Sequence, residues 1–120
     1  MLKLALSALT MTMADAKGYI TGANLAGWMV LEPWASPSLF YRALDKKKDQ
    51  GVYFDTYTFC EALGPEEGNK ILRSHWDRFI TDPRIIDLSH KGVTHIKVPI
   101  GDWTLNPYGP YVGCTDGSVE

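Results

Sequence analysis

Short apolar runs alternate with polar breaks along the chain, and the period of the apolar positions changes from one segment to the next. Tyr19-Ile20-Thr21-Gly22-Ala23-Asn24-Leu25 reads as a short strand, followed by a tight Ala26-Gly27 step and a second apolar run, Trp28-Met29-Val30-Leu31. Glu32-Pro33-Trp34 ends that run, because proline lacks a backbone donor and disfavours helix at the residue before it. Ser36-Pro37-Ser38 continues the loop, and one or two helical turns follow from Leu39 to Leu44. The charged segment Asp45 to Gly51 reads as a solvated loop. The clearest helix begins after Gly64: Pro65 suits the first helical position and Glu66 and Glu67 complement the positive helix end. Leu72, Trp76, Phe79 and Ile80 then form one apolar stripe, on which Trp76 reads as a packing residue. Thr81 is placed to cap a second helix, with Asp82 and Pro83 in its first turn, Ile85, Ile86 and Leu88 on its buried side and Gly92 at its end. From Val93 to Ile100 the period shifts to two, setting Thr94, Ile96, Val98 and Ile100 against His95, Lys97 and Pro99. Beyond Gly101, prolines and glycines mark a loop.

Strand, helices, glycine and strand in that order predict an α/β fold, the opening units of a parallel sheet covered by helices. In parallel barrels the functional groups project from the C-terminal strand ends and the loops after them, which singles out Glu32, Trp34, Lys97, Asp102 and Trp103. A carboxylate beside an aromatic ring suits a sugar, since the carboxylate accepts hydroxyl hydrogen bonds while the ring covers the apolar face of a pyranose. The competing reading makes Glu32 a loop charge and Trp34 a core plug. Lys97, mid-strand and on the face of His95, needs an acidic partner or an open cavity if buried, because an unpaired ammonium is costly there. A wetter inward face, or a stem that carries the charge out to water, would relieve that cost. His75 and His90 lie in helical segments and read as surface or packing residues.

Composition narrows the partners. The 120 residues are 45% apolar and carry 12 basic and 14 acidic side chains, a formal net charge of -2. Such a chain can bury a core, but it lacks the broad charge footprint of a nucleic-acid or anionic-membrane binder. Lys3, the apolar stretch from Leu4 to about Ala14 and the small residues Ala14 and Ala16 have the layout of a secretory signal peptide, so residues 1–16 are expected to be removed and the product exported. A short core helix is the alternative for that segment. No other stretch could cross a bilayer. Cys60 and Cys114 would then meet an oxidising environment, where either a disulfide or two separate thiols is open. No Cys or His spacing suits a metal, no nucleophile elbow, P-loop or dinucleotide fingerprint occurs, and no cofactor is expected. There is no Asn-x-Ser/Thr acceptor.

The run Gly22-Ala23-Asn24-Leu25-Ala26-Gly27-Trp28-Met29-Val30-Leu31-Glu32-Pro33-Trp34, continued by Ser36-Pro37-Ser38-Leu39-Phe40, resembles the opening of the exo-1,3-β-glucanases (glucan 1,3-β-glucosidases) of glycoside hydrolase family 5. Asp55 to Gly64, the helix around His75-Trp76, the strand ending Val98-Pro99-Ile100-Gly101-Asp102-Trp103, and Pro110-Tyr111-Val112-Gly113 follow in the family's order. The resemblance implies the N-terminal portion of an eight-stranded β/α (TIM) barrel over residues 17–120, incomplete at this length because such barrels need roughly 250 residues. It further implies removal of glucose from 1,3-β-glucans with retention, by two glutamates about 5 Å apart. The acid/base of that family sits in an Asn-Glu-Pro context, and no Asn-Glu dipeptide occurs here, so no catalytic carboxylate is carried over. Glu32 and Trp34 inherit a glucose-binding role at the innermost subsite. Lys97 stands where the family has an arginine supporting the nucleophile, keeping the charge and losing the two-pronged geometry. Ala26 and Thr56 also depart from the family's usual glycine and acidic residue. The expected partner is a 1,3-β-glucan or a related β-glucoside. The alternative is a non-catalytic secreted paralogue that binds glucan or a partner protein through Trp34 and Trp103.

Overall fold

A computed structural model describes residues 19–47 and 54–118. The signal-peptide reading, on residues 1–16, falls outside them. Two strands, β1 (Gly22–Asn24) and β2 (His95–Lys97), pair in parallel with Gly22 opposite His95 and Asn24 opposite Lys97. Between them run three helices: α1 (Pro37–Lys47), α2 (Thr56–Phe79) and α3 (Asp82–His90). After β2 come two 3₁₀ turns, Asp102–Thr104 and Gly109–Tyr111. Parallel pairing obliges the chain to cross back along the sheet, and the helices are that crossover.

Helix α2 is longer than the apolar pattern suggests, because a first half begins at Thr56 ahead of the expected start after Gly64. Asp55 creates that start. Its carboxylate accepts the Thr58 amide at 2.8 Å, while the Thr58 hydroxyl accepts the Asp55 amide at 3.3 Å, a reciprocal cap that satisfies two backbone donors left over at a helix end. Gly64 then breaks the helix with φ 74° and ψ 180°, a backbone state open to glycine, and Pro65 opens the second half as expected. Helix α1 likewise runs on through Asp45 to Lys47, into the segment expected to be loop. Lys46 there pairs with Glu67 at 2.6 Å, an exposed bridge worth ~1 kcal/mol or less.

The core lies between α1, α2, the run after β1 and the C-terminal turns, and it contains Met29, Leu31, Phe40, Phe59, Leu72, Trp76, Trp103 and Tyr111. Leu72 and Trp76 are buried, in accord with the stripe assigned to them, while Phe79 and Ile80 are half-buried. The segment after Gly101 departs from the loop expectation. Trp103 stacks on Tyr111 at 5.0 Å, Tyr108 and Tyr57 meet Tyr111 edge-on, and Thr104, Cys114 and Thr115 are buried. Punctuating residues permit irregular backbone without saying whether it packs, and here aromatic side chains pack it. Cys60 and Cys114 are joined as a disulfide with Cα atoms 5.9 Å apart, which resolves the alternatives left open for them.

Helix α3 and the sheet behave differently. Thr81 makes no side-chain capping bond, and α3 contains no buried residue; Ile86, placed on its buried side by periodicity, is 53% exposed. Ile96, Val98 and Ile100 are exposed as well, and so is Lys97. Both faces of the strand pair lack cover among the described residues. Apolar periodicity marks a face meant for burial, and a parallel sheet is normally covered on both sides.

Candidate functional site

Because β1 and β2 run parallel and in register, the segments that leave them emerge at one end of the sheet. One carries Glu32 and Trp34, the other Asp102 and Trp103, and Lys97 stands as the last residue of β2 beside Asn24. The Leu25 amide donates to the Lys97 carbonyl at 2.9 Å, so the two segments part only beyond this point.

The Glu32 carbonyl accepts the Ala35 and Ser36 amides at 2.9 and 3.0 Å, closing a turn around Pro33 and Trp34. That turn presents Trp34 outward, with 78% of its surface exposed, which excludes the core-plug reading within the described residues. Glu32 is half-buried, and its carboxylate has no hydrogen-bond partner among the described residues. An unengaged carboxylate two residues from an exposed indole is chemically able to accept sugar hydroxyls beside a stacking surface. Lys97 differs from its mid-strand assignment: it ends the strand, is exposed, and forms no ion pair among the described residues. The cost of burying its ammonium therefore does not arise here.

Trp103 is 4% exposed and lies in the core, which corrects its assignment as a binding surface. Asp102 serves locally, accepting the Trp103 amide at 3.0 Å and the Tyr108 hydroxyl at 3.3 Å. An open cleft of about 730 Å³ lies elsewhere, between α1 and α2, lined by Arg42, Lys46, Glu67 and Lys70 among others. Its charges are mixed and partly paired, so size alone does not make it a sugar site. A smaller hollow of about 320 Å³ lies along the strand pair, lined by Ile20, Ala23, Ile96 and Lys97 among others. Among the described residues no group of His, Cys, Asp and Glu could hold a metal ion, and no helix is long and apolar enough to cross a membrane.

Sequence reasoning missed the groups that hold the Glu32 segment. His75 bonds through Nε2 to the Gly27 carbonyl at 2.7 Å, the Trp28 indole donates to the Trp76 carbonyl at 2.9 Å, and the Thr56 hydroxyl accepts the Leu31 amide at 3.0 Å. These join residues 48, 48 and 25 positions apart, which no local pattern announces. Burial pushes the His75 imidazole below its ordinary 6.5, against hydrogen bonds it donates to the Gly27 and Trp28 backbone, which raise it. Burial, with help from Tyr108, Asp55 and Asp102, pushes the Tyr111 phenol up to about 12.

The signs of these two shifts set a pH profile. Folded His75 takes up a proton less readily than the unfolded chain, so its contribution is complete above pH 6.5 and is lost as pH falls below that value. Folded Tyr111 holds its proton longer, so its contribution is complete below pH 10 and is lost as pH rises toward 12. Urea midpoints are expected to fall on both flanks, with His75→Gln flattening the acid flank near pH 6 and Tyr111→Phe flattening the alkaline one. An acid flank unchanged in His75→Gln would refute the assignment.

No family model matches the chain. Proteins of known name do. Over 103 residues, 84% of this chain and 23% of the relative, it is 41% identical to a protein of Aspergillus terreus named probable glucan 1,3-beta-glucosidase A. It is 42% identical over 95 residues to the protein of that name in Emericella nidulans, covering 78% of this chain and 22% of the relative. It is 38% identical over 97 residues to a glucan 1,3-beta-glucosidase of Lachancea kluyveri, again 78% of this chain and 22% of the relative. The chain thus spans less than a quarter of the length of these relatives.

Proposed function

Because the chain is homologous to the glucan 1,3-beta-glucosidases over most of its length, we propose that it forms the glucose-contacting wall of a secreted hydrolase of 1,3-β-glucans. The fold to which it contributes is the N-terminal portion of a β/α barrel. The observation that carries the reading is the pairing of a Glu32 carboxylate, unengaged among the described residues, with an outward-facing Trp34 in the segment that leaves the C-terminal end of a parallel strand, the side on which barrel enzymes place their ligand contacts. Glu32 accepts hydrogen bonds from glucose hydroxyls, Trp34 covers the apolar face of the ring, and Lys97 offers a positive charge at the strand end toward an acidic group. Exposed α3 and the open sheet faces support a chain that needs neighbouring strands and helices for cover.

The reaction proper is retaining cleavage, in which one carboxylic acid protonates the leaving oxygen while a carboxylate attacks from the opposite face. That pair is assigned to none of these 120 residues. The Cys60–Cys114 disulfide supports export, since such bonds persist in oxidising compartments. No cofactor is required by this chemistry.

Titration of the 120-residue chain with a 1,3-β-linked glucose trisaccharide, followed by tryptophan fluorescence, tests the reading. Binding is expected to weaken about tenfold in Trp34→Ala with the melting temperature unchanged, as fits the loss of an aromatic platform, and no glucose is released in the same mixtures. Equal binding by wild type and Trp34→Ala would refute the assigned contact.

A further inference from the structure

The segment from Leu25 to Ser36 has few hydrogen bonds of its own beyond the turn closed on the Glu32 carbonyl. Beyond the Leu25 bond to the Lys97 carbonyl, its other hydrogen-bonded fixed points among the described residues come from α2. Thr56, at the first residue of that helix, holds the Leu31 amide; His75 and Trp76, near its last turn, hold Gly27 and Trp28. These grips come from the two halves of the helix, on either side of the break at Gly64.

The His75 bond lies where the segment folds back on itself. Gly27 has φ 74°, and a Cβ built there would collide with the side chain of Ala35, the residue directly after Trp34. Holding the Gly27 carbonyl therefore holds Ala35, and with it one end of the turn that presents Trp34. A carbonyl only accepts, so Nε2 carries the proton in this bond. The Phe79 ring, 4.6 Å from the imidazole centroid, restricts the histidine on another side.

We propose that His75 is a positioning residue for glucan binding, which fixes the Glu32–Trp34 turn from α2 with Trp28 and Thr56 completing the clasp. It rests on the glucose-binding reading of Glu32 and Trp34. His75 touches no sugar in this scheme; it acts by limiting the conformations of the turn, so less ordering is left to be done on binding. Trp28 returns the interaction in the opposite sense, a loop side chain donating to a helix carbonyl, and the two bonds resist rotation of the segment about either one.

Amide hydrogen exchange and the same trisaccharide titration, both on the whole 120-residue chain, test the inference. In His75→Leu the Gly27 carbonyl loses its partner. The amides of Leu31, Ala35 and Ser36 are expected to exchange about tenfold faster and the trisaccharide to bind about tenfold more weakly, in the range of one lost buried hydrogen bond. The amides of Thr104 and Tyr111 keep their wild-type rates, and His75→Gln, which retains a side-chain N–H, restores both readouts. Wild-type exchange in the turn of His75→Leu overturns the proposal. Faster exchange spread evenly over α1, α2 and the C-terminal turns, with no rescue by glutamine, overturns it too and makes His75 a general packing residue. Local loosening of the turn in a chain whose wild type does not bind the trisaccharide supports the positioning and instead overturns the glucose-binding reading.

Discussion

Reduction of the Cys60–Cys114 bond is expected to lower the unfolding free energy by about 4 kcal/mol, the loop-closure value for a cross-link spanning 54 residues. Opening it releases the C-terminal turns from the first half of α2, and Gly68 is the sign of how close that packing is. A Cβ on Gly68 would lie 2.6 Å from the Cys114 sulfur, so the helix is notched where the cross-link crosses it. Asn69 adds to the same seam by donating to the carbonyls of Cys114 and Asp116 at 3.0 and 2.8 Å. Domains are stable by only about 5–15 kcal/mol, so a loss of this size removes a large share of the total. Urea unfolding with and without reductant measures it, with Cys60→Ala/Cys114→Ala as a reductant-free control. A midpoint shift equivalent to less than about 1 kcal/mol would mean that the Asn69 bonds and aromatic stacking hold the turns without the cross-link.

Phe59→Ala carries the second large effect, a loss of about 3–5 kcal/mol from transfer and cavity contributions together. Phe59 is 0% exposed and meets Phe40 edge-on with ring centroids 6.2 Å apart, so it is a central contact in the packing of α1 on α2. Phe59→Leu, which leaves less empty volume, is expected to cost under half as much. Urea midpoints decide the matter: equal midpoints for the two variants would show that the site collapses around alanine. The two large effects will not add, because Phe59 and Cys60 are adjacent on one helical turn and share the same seam.

Local signals in the sequence served well where each depends on a few neighbouring residues. Pro65 opened the second half of α2 as its restricted φ predicts, Gly92 closed α3 with φ 82°, and the period-two run contains β2. The first half of α2 was legible in principle through Asp55 and Thr58, three positions apart. It was obscured by Thr56, Tyr57, Thr58 and Phe59, residue types with a weaker helix preference than the packing they obtain here. That the segments carrying Glu32 with Trp34 and Asp102 with Trp103 leave the same end of the sheet followed from chain order, since two parallel strands discharge their following segments at one end only.

By itself the sequence determined the similarity to glucan 1,3-beta-glucosidases, the order of strand, helices and strand, and the presence of a carboxylate and an indole, Glu32 and Trp34, in the segment that follows the first strand. Only the tertiary structure decided that Trp34 faces outward while Trp103 is interior, that Cys60 meets Cys114, and that His75, Trp28 and Thr56 tie the run after β1 to α2. The reason is range. Propensity and periodicity act within a few residues, whereas these hydrogen bonds and the disulfide join positions 25 to 54 apart, and their partners are chosen by how the helices pack rather than by any neighbour in the chain.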